Sequence, residues 1–322
     1  MPAIEPIALS GYIVWAGFVG ATPVFASGTG AVTFGTEPRV VTPSGAILAA
    51  VRDPDGRSLV IGTDDGKVFR LNDAGESTAL ADKGRKWIDQ VAVGNGGLVA
   101  FASGRTAWVR EASGKEHELT RPRAVGGLAF FPKGLRLAVA GYGGVGLWYP
   151  GTAAAPQELE WKGSHIAVTV SPDGANVVTS MQENALHGWR LRDGQHMRMS
   201  GYPAKPKVMS WSAKGRFLAT SGAQASIAWP FHFKDGPMGK RPLELGARKE
   251  MVTSVACHPV EEIAAIGYDD GMILLVRFSD GEEILLRPPG NGAISALGWD
   301  KSGLELAFGT EEGAGGVVNL AA

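Results

Sequence analysis

The sequence predicts an all-β fold, a closed β-propeller of four-stranded antiparallel blades. Three observations predict it: a recurring turn, a repeat length near 40 residues, and the lack of any long stretch with helical periodicity. The 322 residues are 44% hydrophobic and 20% charged, with 46 Gly and 19 Pro. That balance belongs to a globular chain rich in turns, and it favours many short strands over helices.

The recurring turn is clearest at Ser171-Pro172-Asp173-Gly174. Variants stand at Asp53–Gly56, Phe131–Gly134, Ser212–Gly215 and Asp300–Gly303, with looser versions at Gly94–Gly97 and His258–Glu261. Around each turn the same order repeats. A first strand precedes it, as at Gly127–Phe130, and a second follows, as at Leu137–Ala140. A glycine-rich turn, Gly141–Gly144, leads to a third strand, Val145–Trp148. A polar loop and a fourth strand, Glu158–Glu160, close the unit. Aligned on the turn, the units open at Ile13, Ile47, Ile88, Val125, His165, Pro206, Val252 and Ile294. The spacings are 34, 41, 37, 40, 41, 46 and 42 residues, the length of a four-stranded blade.

The expectation is therefore a single domain over residues 1–322 with eight blades. Seven is the alternative, should the short first unit not be a true blade. The last unit holds three strands, at 294–299, 304–309 and 315–320. Glu5–Leu9 resembles the missing fourth strand, so the N-terminal strand is expected to complete the last blade. Such closure removes open sheet edges.

Third strands ending in Leu147-Trp148, Gly188-Trp189 and Ala228-Trp229, the Ser-Pro-Asp-Gly turns, and Asp64-Asp65-Gly66 and Asp269-Asp270-Gly271 together resemble the WD-repeat family. The resemblance covers nearly the whole chain. It departs from the pattern in two ways. Tyr149, Arg190 and Pro230 follow the three Trp where the family has Asp, and no Gly-His dipeptide opens a unit. The family's buried His-Ser-Asp-Trp network is therefore not expected whole in any blade. The resemblance, closest to stand-alone propellers found in bacteria, implies a rigid scaffold or adaptor for a protein or peptide, and not an enzyme.

The residues themselves offer little catalytic chemistry. Gly141–Gly146 is glycine-rich, but no helix follows to present its N-terminus to a phosphate. No GxSxG element exists. The sequence suggests no catalytic residue, cofactor or metal. His187 and His196, able to face each other across adjacent strands, form the nearest approach to a metal pair. A propeller enzyme, or a receptor holding a small molecule or metal in the central channel, is the alternative function. The single cysteine, Cys257, sits in an apolar run and reads as a buried hydrophobe.

A formal net charge of −1 gives no reason to expect nucleic acid or an anionic membrane as partner. The uncharged stretch from Ile7 to Thr36 lacks a basic leader and is broken by Gly and Pro, unlike a signal peptide or membrane helix. A cytoplasmic monomer is expected.

On a rigid propeller the loops carry function. The connections from fourth to first strands are basic: Lys83, Arg85, Lys86, Arg121, Arg123, Lys162, Lys205, Lys207, Arg248 and Lys249. They hold 10 of the 31 Lys and Arg. The second-to-third turns on the same rim carry acids. Trp87 stands in the polar run Lys83–Lys86, where packing does not demand an indole. The expected partner site is Trp87 with Arg85, Lys86, Arg123, Lys207, Lys249, Tyr12 and Met251. On the opposite rim, the long loop from Pro230 to Arg241 offers Phe231, Phe233 and Met238 as an alternative partner-binding loop.

Overall fold

The computed structural model describes residues 2–35 and 39–321. All but one of their regular elements are strands, every pairing is antiparallel, and the exception is a single turn of 3-10 helix at Asn95–Gly97. No helix among the described residues is long and apolar enough to cross a membrane. The chain groups into two compact units, Met1–Ile47 with Tyr202–Ala322, and Leu48–Gly201.

The first unit holds four four-stranded sheets. Ile13–Val19, Thr22–Ser27, Val32–Phe34 and Arg39–Val41 form one. Met209–Trp211, Phe217–Thr220, Ser226–Pro230 and Leu243–Leu245 form the next. Val252–Cys257, Ile263–Tyr268, Ile273–Arg277 and Glu283–Arg287 form the third. The fourth joins both ends of the chain. Ile294–Trp299, Glu305–Thr310 and Ala314–Asn319 are completed by Ala3–Ala8, in register from Ala3 opposite Asn319 to Ala8 opposite Ala314. The N-terminal strand thus completes the last sheet, as the sequence suggested.

The second unit holds two four-stranded sheets and one of six strands. The first is Ile47–Arg52, Ser58–Thr63, Lys67–Asn72 and Ser77–Asp82. The second is Gln90–Gly94, Leu98–Ser103, Thr106–Arg110 and Glu116–Thr120. The six-stranded sheet runs Val125–Phe130, Leu137–Trp148, Gln157–Val170, Asn176–Met181, Ala185–Arg190 and Gln195–Met199.

This last sheet corrects the expected blade count. The described residues form seven sheets, not eight four-stranded blades. The short first unit is a genuine sheet, so the difference lies elsewhere. The fourth and fifth repeats are fused, because two expected breaks do not interrupt the strands. Leu137–Trp148 runs through the glycine-rich turn, and Gln157–Val170 runs through Trp161–Gly163. Each strand bends instead of ending. The register shifts between Tyr142 and Gly144, and again between His165 and Ala167. Tyr142 stays paired with Ser164 at the corner. Gly143 and Gly144, at φ 93° and 139°, absorb the bend in backbone conformations that side-chain-bearing residues rarely adopt.

The repeat also fixes how sheets nest. Ile13, Ile88 and Ile294 occupy the opening position of their repeats and are fully buried. Each rests on a glycine in the second strand of the preceding sheet. A Cβ at Gly309, Gly62 or Gly267 would come within 2.4, 2.6 and 2.5 Å of Ile13, Ile88 and Ile294 respectively. Large at one position and nothing at the other is what lets the layers interdigitate at crystal-like density.

Candidate functional site

Trp87 is the most exposed large apolar side chain among the described residues, at 67% of its surface. It follows directly on Arg85 and Lys86, both exposed, and precedes Ile88, which is buried. The Ile88 amide donates to the Thr63 carbonyl at 3.0 Å, so the backbone is held at the base of the loop. The Lys86 ammonium lies 5.3 Å from the centre of the Trp108 ring and the Lys83 ammonium 5.0 Å, a cation–π arrangement.

The other expected partner residues fall into two groups. In the first unit Tyr12, Lys207 and Met251 line a pocket of about 290 Å³ with Lys205, Asp269 and Glu311. Burial, and then the Glu311 carboxylate, push the Tyr12 hydroxyl above its ordinary pKa. Lys249 lies outside this pocket and sits 3.5 Å from Glu250. In the second unit Arg123 is exposed and lines two adjoining clefts of about 720 and 560 Å³.

Not every basic loop residue is free to meet a partner. Lys83 pairs with Glu116 at 2.6 Å, and Arg121 forks onto Glu158, with 2.8 Å for its Nη2. Arg248 pairs in the same way with Glu283. Each time a base just after one outer strand reaches an acid on the next sheet, on its outer strand for Glu116 and Glu283 and on the long strand Gln157–Val170 for Glu158. These three charges tie neighbouring sheets together, a use the sequence did not reveal because the acids lie 33 to 37 residues downstream.

The alternative loop divides its apolar residues. Phe231 packs edge-on against Trp211, with ring centres 4.9 Å apart, and Met238 is half-buried. Phe233 is 42% exposed, with His232 at 4.2 Å and the Lys240 ammonium at 4.8 Å from its ring. The loop therefore folds Phe231 back onto its own sheet and leaves Phe233 exposed beside the Lys240 ammonium.

The histidines of the fused sheet form an aromatic cluster in which His165 and His187 are buried. His187 is fully buried, and its Nε2 lies 2.9 Å from Nδ1 of exposed His196. Trp161 stacks on His187, with centroids 3.8 Å apart and planes 12° from parallel. Burial first, then His196, His165 and Arg198, lower the His187 pKa to about 3. Buried His165 is lowered chiefly by burial too, and it contacts Thr179 Oγ1 at 2.7 Å and the Trp161 carbonyl at 3.0 Å. The contact between His187 and His196 is a hydrogen bond, which engages a ring nitrogen that zinc would need. Among the described residues no group of three or more His, Cys, Asp or Glu stands ready for a metal. The Cys257 thiol lies 3.3 Å from the Ser210 carbonyl, and burial pushes its pKa up to about 12.

Comparison with known proteins bears on the fold. No family model matches the chain. A stretch of 162 residues is 25% identical to WD repeat-containing protein 55 of Homo sapiens and of Rattus norvegicus. It spans 49% of this chain and 41% of those relatives, so the chain matches less than half the length of each. Among solved structures, the computationally designed Ika8 protein superposes with a TM-score of 0.79 at 19% identity, over 98% of this chain and 100% of its own. The RRP9 WD40 repeats superpose with a TM-score of 0.64 at 17% identity, over 85% and 94%. A chain in a structure of the mitotic checkpoint complex gives 0.67 at 16% identity, over 81% and 83%. The fold is that of a β-propeller.

In this propeller a substitute exists for part of the network that the WD-repeat resemblance implied. Buried Trp229 donates its indole N–H to the Tyr202 hydroxyl at 2.6 Å. That hydroxyl lies 2.6 Å from Thr220 Oγ1, and Thr220 donates to the Ile227 carbonyl at 3.0 Å. Burial pushes the Tyr202 pKa up to about 12, so it stays a neutral donor and acceptor. Searching the sequence for histidine missed this, because a tyrosine outside any strand takes the position.

The sequence reading also passed over Tyr142, 61% exposed, at the corner where the fused sheet bends. It borders three clefts, of about 720, 560 and 340 Å³. One signal was legible. Four turns between second and third strands carry acids, at Asp64-Asp65, Glu183, Asp269-Asp270 and Glu311-Glu312, and the others are small or polar, whereas Gly141–Gly144 carries an aromatic ring.

Proposed function

We propose that this propeller is a non-catalytic scaffold or adaptor that binds a protein or peptide partner through its loops. The observation that supports it most is Trp87. An indole 67% exposed, next to two exposed bases, has no packing role that would account for it. Trp and Arg dominate the residues that carry binding energy at interfaces. In this reading Trp87, Arg85, Lys86 and Arg123 are partner-binding residues of the second unit, and Lys207, Lys249, Tyr12 and Met251 those of the first. Aromatic contacts supply desolvated area, and the bases orient the partner. WD repeat-containing protein 55 shares the repeat type, and one structural neighbour lies within the mitotic checkpoint complex, an assembly of proteins. A cytoplasmic, monomeric protein without a nucleic-acid or membrane partner is part of the proposal.

The test is affinity capture from the native host followed by binding measurements on the partner recovered. Trp87→Ala is expected to weaken binding by about 2 kcal/mol or more without changing the fold. Charge reversal at Arg123 or Lys249 is expected to act mainly on association rate and salt dependence. Normal binding by Trp87→Ala alongside loss in Phe233→Ala would move the interface to the opposite loop.

A further inference from the structure

The three clefts around Tyr142 share a pattern of unpaired charge. Arg123 lines the two larger clefts, Lys162 the largest and the smallest, and Arg198 the smallest. All three are exposed, and among the described residues none is within ion-pair distance of a carboxylate. The neighbouring acids are mostly engaged. Glu158 is held by Arg121, and Glu183 accepts the Ser164 amide through both oxygens, at 3.0 and 3.3 Å. Glu160 remains as the one carboxylate in the clefts without such a partner. Arg105, also exposed, adds a further cation nearby, since its carbonyl accepts the Arg121 amide at 2.8 Å.

Between these charges stand two aromatic surfaces. Tyr142 projects from the strand corner. Trp161, half-buried and backed by the His187 ring, lines the clefts on either side of it. Stacking on His187 fixes the indole in place, so little side-chain freedom is lost when a ligand covers it. The fusion of two repeats produces the site. At this corner Gly141–Gly144 brings no acid, unlike the turns at Asp64-Asp65, Glu183, Asp269-Asp270 and Glu311-Glu312.

We infer that the clefts flanking Tyr142 bind an acidic peptide segment of a partner, its carboxylates on Arg123, Lys162 and Arg198 and an apolar side chain between Tyr142 and Trp161. This rests on the platform reading above and gives the partner its chemistry. Discrete carboxylates fit better than a continuous phosphate backbone, because Glu158, Glu160 and Glu183 are interleaved with the cations and the whole chain is at −1.

The test is fluorescence anisotropy with three labelled probes: a Glu/Asp-rich peptide around a single Phe, the same peptide with Lys for its acids, and a single-stranded oligonucleotide of equal length. The full chain should bind the acidic peptide in preference to both others, and more weakly as salt rises. Tyr142→Ala and the double variant Arg123→Glu/Lys162→Glu should each weaken it about tenfold or more. Both carry exposed changes, and circular dichroism confirms their fold. Equal or tighter binding of the Lys peptide or the oligonucleotide overturns the inference, as does undetectable binding of the acidic peptide. Loss in Trp87→Ala with normal binding in Tyr142→Ala also overturns it, while leaving the platform reading intact. Failure of the platform reading shows separately, as a native partner whose binding ignores Trp87.

Discussion

Trp229 hands its indole hydrogen to the Tyr202 hydroxyl, 2.6 Å away, and through it to Thr220 and the Ile227 carbonyl. One phenol therefore satisfies a buried indole and links strand to strand within its sheet. Tyr202→Phe keeps the ring and removes the relay, leaving the indole N–H buried without an acceptor. The expected loss is about 1–3 kcal/mol of stability, read from urea denaturation at pH 7. An unchanged midpoint would mean that the relay carries no net energy.

The clasp between Ala3–Ala8 and Ala314–Asn319 closes an edge that would otherwise be bare. Removing residues 1–10 also removes Ile7, buried in the core with Phe18, Phe25 and Val317. The truncated chain is expected to melt lower and to self-associate through the freed strand. Size-exclusion chromatography and thermal melts check this. A clean monomer with an unaltered melting temperature would show that the clasp is dispensable.

Glycine at the nesting positions is a packing requirement. At Gly62 an added Cβ meets both the Ile88 side chain and its carbonyl at 2.6 Å. Gly62→Ala should destabilise by about 1–3 kcal/mol through overpacking. Gly28→Ala is the control, since its nearest atom lies at 3.5 Å, ordinary contact. Equal midpoints for the two variants would contradict the nesting account.

Buried neutral His187 makes stability depend on acid. Its pKa falls to about 3 on folding, from an ordinary 6.5, so the unfolded chain binds the proton more readily. The contribution is fully present above pH 6.5 and is lost as pH drops toward 3, on the order of a few kcal/mol. His165, lowered in the same direction, adds to it. Urea midpoints between pH 7 and 4 should fall steeply in the wild type and less steeply in His187→Leu. Parallel slopes would assign the acid sensitivity elsewhere.

The repeat, the strand order and the clasp were legible because each depends on local signals: turn residues every 40 or so positions and apolar runs between them. The fusion of the fourth and fifth repeats was not. Gly141–Gly144 reads as a turn in one dimension, and only pairing of Tyr142 with Ser164 shows that the strand continues. Trp87 could be singled out because it interrupts a polar run. Tyr142, Trp161 and Arg198 could not be grouped, because they meet through a bend that no spacing encodes. The bases at Lys83, Arg121 and Arg248 looked free for the same reason, their acids being supplied by the next sheet.

The sheet built from both ends has a consequence for synthesis on the ribosome. Ala8 must wait for Ala314, some 300 residues later, before it gains its partner. At roughly 5–20 residues per second the delay is about 15–60 s. During that time Ala3–Ala8 is an unpaired strand in a crowded cell. Its own sequence suits the wait, for Glu5 and Pro6 sit at its centre, a charge and a residue without an amide hydrogen. Both discourage a stray strand from another chain, so the segment that finishes the fold is guarded until the right neighbour emerges.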